Sequence, residues 1–358
     1  MVVRLSLLFF LVLYSGFSQE HYTISGSIYE SDGQETLLGA NVIFPNLGTG
    51  TISNEYGFYS ITLAAGTYEL NISYLGYKTI VKTIVLNQNL SQNFRLEATS
   101  DTLEEVVLKT DVERLNIKTP QMSINALNAN TIKQIPVVFG EADVIKAISL
   151  LPGVSTGGEG TGGFNVRGGS TDQNLILLDE ATLFNSSHLF GFFSVFNPDA
   201  IKNLRLYKGG IPAKYGGRVA SVLDIYQKEG NKNEFHGNGG IGLVASRILL
   251  EGPLEKEKGS FLLGGRSTYA HLFLPLFDIE NIAYFYDLNT KLSYRLDGAN
   301  KIYLSGYFMR DVFSVSNSFK NTYGNTVVNF RWNHLFSDQL FSNLSLIYSD
   351  YYYGLDLN

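Results

Sequence analysis

The residue types best suited to metal catalysis are the five histidines of this 358-residue sequence. They are scattered along the chain, and none begins an H-x-x-E or H-E-x-x-H motif: His21, His188, His236, His271 and His334. A zinc enzyme needs at least three converging ligands. The absence of cysteine excludes disulfides, thiol catalysis and thiolate metal sites. We therefore predict no catalytic residue, no metal site and no enzymatic activity.

Two glycine motifs have the G-x-G-x-x-G spacing of a dinucleotide-binding fingerprint, at residues 158–163 and 237–242. Nucleotide binding requires a strand before the glycines and a helix after them, so that the phosphates meet a helix N-terminus. The first motif instead precedes a strand-like segment, and the second lies inside a strand-like alternation. We predict no nucleotide and no other cofactor.

The composition favours β structure and excludes several classes of protein. The chain has 24 Phe, 22 Tyr and 36 Gly, with 44% hydrophobic and 17% charged residues. Aromatic residues favour strands, and this hydrophobicity is not that of a disordered or coiled-coil chain. The formal charge of −6, without a basic run, makes nucleic acid a poor partner. The sequence predicts a mainly β protein of two or three domains.

Residues 1–18 have the pattern of a secretory signal peptide. Arg4 precedes an apolar run at 5–14, and the small residues Ser15, Gly16 and Ser18 follow as a cleavage site. The alternative is a short membrane anchor, although the run is too short to span a bilayer comfortably. Because no later apolar stretch reaches about 18 residues, we predict an exported chain without a transmembrane helix.

Residues 22–97 are a succession of short strands separated by Gly and Asn turns, which predicts a small antiparallel β-sandwich. The segment resembles the carboxypeptidase-regulatory-like, transthyretin-like domain. The resemblance is carried by GANV at 39–42, NEYGFY at 54–59 and SYLGY at 73–77. The histidine pattern gives no reason to expect peptidase activity.

Residues 98–119 are polar, charged and free of glycine, as in a linker. Within them lies one β-prone string: Leu103, Glu104, Glu105, Val106, Val107 and Leu108. Such an extended string either forms an ordinary linker strand or adds as a strand to the sheet edge of another protein.

Residues 120–229 mix helix and strand signals, which predicts a compact α+β domain. An amphipathic helix is predicted at 141–151, stopped by Pro152 and Gly153. A glycine-dense loop follows at 156–163. Further strands are predicted at 164–167, 174–179, 201–208 and 219–226.

This segment resembles the plug domain of TonB-dependent outer-membrane receptors. The resemblance rests on motifs in the order PGV (152–154), NVRGG (165–169), LD (178–179), NP (197–198), YKG (207–209) and PAKYGGR (212–218). It implies that the string Leu103–Leu108 is a TonB box, which contacts a TonB-type energy-transducing protein in the periplasm.

The resemblance also assigns residues within the plug. It implies that Arg167 and Arg218 latch the plug to carboxylates of the barrel wall, which would lie beyond residue 358; the alternative is that each arginine stabilises a turn. It places loops 156–161 and 184–190 on the outward side. There Phe184, Asn185, His188 and Phe190 are candidate ligand contacts, or else pack against the wall.

Residues 230–358 have the alternation of the first strands of a transmembrane β-barrel. Tyr284, Tyr286, Leu288 and Leu292 share one parity, and mostly polar residues such as Asp287 and Lys291 share the other. Turns are predicted at 255–259, 297–300 and 337–339. A half-buried soluble sheet would show the same alternation. About six to eight strands fit in this length, whereas a barrel that encloses a plug needs about 22, so we expect a piece of a longer receptor.

The function implied by the resemblance is active, TonB-energised uptake of a scarce extracellular ligand across the outer membrane. The ligand class stays open among siderophore, vitamin, glycan and peptide, and a surface lipoprotein is a further possible partner besides outer-membrane lipid. The alternative is a secreted or surface-bound adhesion or structural β-protein without transport.

Overall fold

The computed structural model describes residues 20–31, 35–54, 56–74, 76–99, 124–135, 141–157, 162–273, 281–315 and 318–357. The predicted signal peptide (1–18), the string Leu103–Leu108 and residues 158–161 of the glycine-dense loop lie outside the described residues. Contacts divide the chain into two units, built mainly on the described residues up to Thr99 and on those from Ile124 onwards. The mainly β prediction is confirmed.

The first unit is a sandwich of two four-stranded sheets. Its strands are β1 (His21–Glu30), β2 (Asn41–Phe44), β3 (Thr49–Ile52), β4 (Phe58–Ala64), β5 (Gly66–Ser73), β6 (Ile80–Leu86), β7 (Leu90–Ser91) and β8 (Phe94–Leu96). One sheet has the order β3-β2-β5-β6, and in the other β1 pairs with β4, β7 and β8. Alternate residues such as Val42 and Phe44 point into the shared core.

The sandwich differs from the predicted antiparallel arrangement at its last two strands. Strands β7 and β8 pair with β1 in parallel, because the chain crosses from the other sheet before it reaches them. The crossing is close: a Cβ on Gly26 would lie 2.0 Å from the carbonyl oxygen of Gln92. Only glycine fits at that point of β1.

The second unit begins with an α+β domain. Its elements are β9 (Ile124–Asn128), α1 (Ala129–Gln134), α2 (Val144–Ser149), β10 (Val154–Thr156), β11 (Phe164–Val166), β12 (Asn174–Leu178), β13 (Ala181–Thr182), β14 (Ser187–His188), β15 (Phe193–Ser194), β16 (Ile201–Tyr207) and β17 (Ser221–Gln227). The main sheet has the order β13-β12-β17-β16-β9, with β10-β11 and β14-β15 as separate pairs. Within the described residues, β9 is therefore an edge strand.

Helix α2 is shorter than the predicted 141–151. Asp143 is its N-cap, because the Asp143 Oδ1 atom accepts a hydrogen bond from the backbone N–H of Lys146 at 3.0 Å. The apolar face, with Val144, Ala147 and Ile148, packs into the core against the main sheet.

A seven-stranded sheet completes the second unit, within the predicted six to eight strands. The strands follow in sequence order: β18 (His236–Ile241), β19 (Ala245–Glu255), β20 (Gly259–Thr268), β21 (Ile282–Arg295), β22 (Asn300–Val315), β23 (Phe319–Ser337) and β24 (Leu340–Leu357). Short 3-10 turns lie at Pro45–Leu47, Thr171–Gln173, Leu189–Gly191 and Ala270–Leu272. Among the described helices, none is long and apolar enough to cross a membrane.

The seven-stranded sheet is covered on one face by the α+β domain, and we call that side the covered face. The seven-stranded sheet is called the wall below. Its covered face shares an apolar cluster with helix α2, to which it contributes Tyr307, Met309, Tyr323 and Val327. The predicted alternation is confirmed: Asp287, Asn289, Lys291 and Ser293 are buried on the covered face, whereas Leu288 and Leu292 are 44% and 40% exposed on the other.

Candidate functional site

Five ion pairs between the α+β domain and the covered face share one polarity. In each, the carboxylate belongs to the domain and the cation to the sheet: Asp199–Arg247 (2.8 Å), Glu141–Arg266 (3.0 Å), Asp179–Lys291 (3.1 Å), Glu229–Lys301 (2.9 Å) and Glu180–Arg331 (3.4 Å). Their partners come from sheet strands β19 to β23, so the domain is held against five successive strands.

Two of these carboxylates lie on a strained turn between β12 and β13. Asp179 and Glu180 have φ of 46° and 73°, a conformation that a two-residue hairpin requires at both central positions and that usually selects Asn-Gly. Their surroundings hold them there. Asp179 accepts from the side chains of Gln227 and Lys291, and Glu180 accepts from Arg331 and from the hydroxyl of Ser345.

His188 forms the one described contact of opposite polarity. Its ring is completely buried between two sheet carboxylates, with Nδ1 2.6 Å from Asp311 Oδ2 and Nε2 3.1 Å from Asp287 Oδ2. The ring also stacks on Phe285 with a centroid distance of 4.0 Å. A neutral imidazole has only one N–H, so only the doubly protonated ring can donate to both flanking carboxylates.

The electrostatics of the site agree with a charged histidine. Complete burial disfavours the imidazolium, but the charges and hydrogen bonds of Asp311 and Asp287 outweigh it and raise the pKa of His188 above its ordinary value. Asp311 is held in place from two further directions, because it also accepts from the backbone N–H of Leu189 and from the hydroxyl of Tyr323.

Arg266 connects this histidine site to the segment just before helix α2 of the α+β domain. The guanidinium donates to Asp287 through Nε at 2.8 Å, to Glu141 through Nη1 at 3.0 Å and to the carbonyl of Ser194 through Nη2 at 3.0 Å. One buried side chain of the sheet thus contacts two separate segments of the domain and the carboxylate that faces His188.

Two segments of the chain match known family models. Residues 24–108 match the CarboxypepD_reg-like domain, and residues 116–222 match the TonB-dependent Receptor Plug Domain. The chain carries a TonB-dependent receptor plug. Proteins with this domain are receptors and transporters rather than enzymes. The comparison with curated protein sequences gives no match.

Solved structures share the fold of the plug and its wall. The siderophore receptor PirA from Acinetobacter baumannii is 18% identical, with a TM-score of 0.50 over 65% of this chain and 40% of PirA. The ferric citrate transporter FecA in its unliganded form is 11% identical, with a TM-score of 0.50 over 66% of this chain and 40% of FecA. The chain therefore spans about two fifths of these receptors.

The four predicted ligand contacts differ in their exposure to solvent. Phe184 is 51% exposed, and Phe190 is 37% exposed with its ring edge-on to Phe313 at 5.1 Å. Asn185 is partly exposed, and its carbonyl accepts from the Asn325 side chain. His188 is wholly buried, so the contact predicted for it is not available in this structure. The sequence could not show this, because Asp287 and Asp311 are distant in the chain.

A cavity of about 240 Å³ lies in the plug beside two of these residues. Its lining includes Phe184, Asn185, Asp172, Asn174 and Arg218. The structure thus brings one predicted latch arginine beside two predicted ligand contacts. Among the described residues, no group of three or more His, Asp or Glu side chains is placed to hold a metal ion.

The two predicted latch arginines lie on the surface of the plug. Arg218 is exposed, and its Nη1 donates to the carbonyl of Gly217 at 2.9 Å. Arg167 is exposed in a turn with φ of 49°. Their pairing with wall carboxylates stays a prediction. The five Lys and Arg ion pairs described above have the opposite polarity, with plug carboxylates and wall cations, whereas His188 pairs a plug cation with the wall carboxylates Asp287 and Asp311. The sequence alternation predicts that Lys291 lies on the polar parity, but it gives this lysine no partner.

Near the latch arginines, a buried carboxylate fixes the strap of residues 209–218 over the main sheet. Asp224 accepts from the hydroxyls of Tyr215 at 2.7 Å and Tyr226 at 2.8 Å. Burial raises the pKa of Asp224 even though both tyrosines donate to it. Tyr215 thus attaches the strap to strand β17 of the plug.

Proposed function

We propose that this chain is the N-terminal part of a TonB-dependent transporter of the outer membrane, which takes up a small extracellular ligand. The observation that carries the proposal is the plug seated on the covered face of barrel-like strands, held there by buried ion pairs and by His188. A transporter needs such a plug to be stable in place and yet displaceable.

The energy for displacement enters through the string Leu103–Leu108. A TonB-type partner in the periplasm adds this string to a sheet edge, where the backbone hydrogen bonds share a load applied along the strand. The string lies 16 residues before Ile124, the first described residue of the plug. Among the described elements of the plug, tension therefore reaches strand β9 first.

The ligand binds on the outward side of the plug, at Phe184, Asn185 and Phe190. This end of the wall carries the longest connection between strands, residues 269–281, and long connections mark the extracellular end of outer-membrane barrels. Phe193 of the plug lies in the same apolar cluster as Ala245 and Phe285 at that end. Export through residues 1–18 and location in the outer membrane complete the proposal.

A single-residue variant pair tests the energised step. In the complete receptor, Val106→Pro removes a backbone donor that strand addition needs, whereas Val106→Thr keeps a β-branched residue. We expect Val106→Pro to weaken binding of the periplasmic domain of TonB by about tenfold or more, and Val106→Thr to bind as the wild type.

Displacement of the plug can be followed in cells with a single introduced cysteine, because the chain has no native cysteine. Ala200 is buried between the plug and wall residues Leu249 and Leu262, so an Ala200→Cys reporter is shielded until the plug moves. We expect maleimide labelling in ligand-containing medium to depend on TonB and to be lost with Val106→Pro. Equal labelling with and without TonB would contradict the proposal.

A further inference from the structure

The charges that hold the plug also define the surface that its displacement uncovers. The pairs described above leave five cations on the wall once the plug carboxylates withdraw: Arg247, Arg266, Lys291, Lys301 and Arg331. The same parity of β19 to β22 also holds Arg295 and the carboxylates Glu251, Asp287 and Asp311. Six cations thus face three carboxylates among the described residues.

The wall cations are regularly spaced along the strands, in three levels. Arg247 and Arg266 are cross-strand partners at the level of Asp287. Lys291 lies four residues further along β21, and Arg295 four beyond that, opposite Lys301. At about 3.3 Å per residue, each step is about 13 Å. The carboxylates Asp287 and Asp311 belong to the upper level, and Glu251 on β19 lies at the level of Lys291. On β21 and β22 themselves, the lower levels carry cations alone.

Several of these cations are deeply buried while the plug is in place. The side chains of Arg266 and Lys291 are 1% and 3% exposed. A buried cation that loses its carboxylate is strongly destabilised unless another counter-ion replaces it. Three of the five are arginines, whose planar fork suits carboxylate and phosphate oxygens.

From this polarity we infer that the wall of strands β19 to β23 is a path for an anion, and that the transported ligand carries carboxylate, phosphate or comparable anionic oxygens. The inference rests on the proposed transport function and adds the substrate class to it. The ligand replaces the carboxylates of the plug as counter-ion of the wall, step by step from the extracellular end. A passage lined by one sign of charge also concentrates ions of the opposite sign.

The test uses the complete receptor in planar lipid bilayers, with urea at a concentration that detaches the plug and leaves the barrel folded. The zero-current potential in a KCl gradient gives the permeability ratio of chloride to potassium. The variant Lys291→Gln/Asp179→Asn removes one wall cation together with its plug partner, so the closed plug keeps no unpaired charge. Lys78→Gln/Glu97→Gln removes an exposed ion pair of the sandwich as the matched control.

We expect the chloride-to-potassium ratio to fall by about twofold or more in the wall variant and to be unchanged in the control. Citrate, the anionic probe, should block the wild-type pore and require about a fivefold higher concentration to block the variant. If Lys291→Gln/Asp179→Asn does not fold, Arg331→Gln/Glu180→Gln gives the same test at a second wall cation and its plug partner.

The outcomes separate the two proposals. A pore whose selectivity and citrate block are the same in wild type and wall variants overturns the anion path and leaves the transport proposal standing. A receptor that gives no pore after the plug is detached overturns both, because the strands then line no passage.

Discussion

At the scale of single residues, His188 shows how burial changes the role of a side chain. The sequence made it a candidate for ligand contact, together with Phe184, Asn185 and Phe190. In the structure both ring nitrogens face carboxylates of the wall. Because only the imidazolium donates from both nitrogens, the charge state of one plug residue controls its fit to two strands.

This arrangement predicts a pH dependence of plug attachment. The pKa of His188 is raised in the folded protein by Asp311 and Asp287, against the opposing effect of burial. The stabilisation is therefore fully present below about pH 6.5, the ordinary pKa of histidine, and is lost as the pH rises through the raised value. We expect the urea midpoint for labelling of the Ala200→Cys reporter to fall as the pH rises through that range.

The control is His188→Gln, whose neutral amide does not titrate and carries both N–H donors on one nitrogen, so it cannot reproduce the two opposed N–H groups of the imidazolium. We expect a lower midpoint in this variant and a much smaller change across the same pH range. A variant that keeps the pH dependence of the wild type would show that another group is responsible.

At the scale of elements, the alternation of β21 could be predicted from residue types, because side-chain direction in a strand has a period of two. The plug carboxylates that pair with Lys291 and Arg331 could not be predicted, since they depend on which plug turn meets which strand. The parallel pairing of β7 and β8 was missed for a similar reason: two or three residues carry no signal of direction. The predicted helix at 141–151 is longer than helix α2, because Asp143 caps the helix inside the segment whose apolar residues are periodic.

The alternation makes a prediction about the outer face of β21. Leu288 is 44% exposed there, next to the buried Asn289 of the covered face. In lipid, Leu288→Arg should destabilise the barrel by about 2–4 kcal/mol, whereas Leu288→Val keeps an apolar side chain. The fraction of complete receptor that folds into vesicles, followed by gel mobility without heating, measures the difference. Equal folding of the two variants would instead fit the half-buried soluble sheet.

At the scale of the whole molecule, the elements of the plug and the contacts that hold them follow one another in the order in which tension from the N-terminal side reaches them. Among the described residues, β9 pairs with β16 alone, and it is the first element that tension from the N-terminal side reaches. Helix α1 follows, held by Ile132 in the core and by Lys133, which lies 2.6 Å from Asp199. The first ion pair with the wall comes next, between Glu141 and Arg266. Displacement should therefore begin with the edge of the plug, before its anchors to the wall separate.

Single-molecule pulling on the complete receptor in lipid tests this order, with the handle attached at Val106→Cys in a chain that has no other cysteine. The first rupture should release residues 124–140, which extends the tether by about 60 Å at roughly 3.5 Å per residue. Glu141→Gln should lower the force of the second rupture, because the amide no longer forms an ion pair with the buried Arg266. The control, Glu69→Gln on the exposed side of β5, should change the force of neither rupture. The contrary result is a single rupture that releases the whole plug, residues 124–229, and extends the tether by about 370 Å. It would show that the plug leaves the wall as a single body and that displacement does not begin at β9.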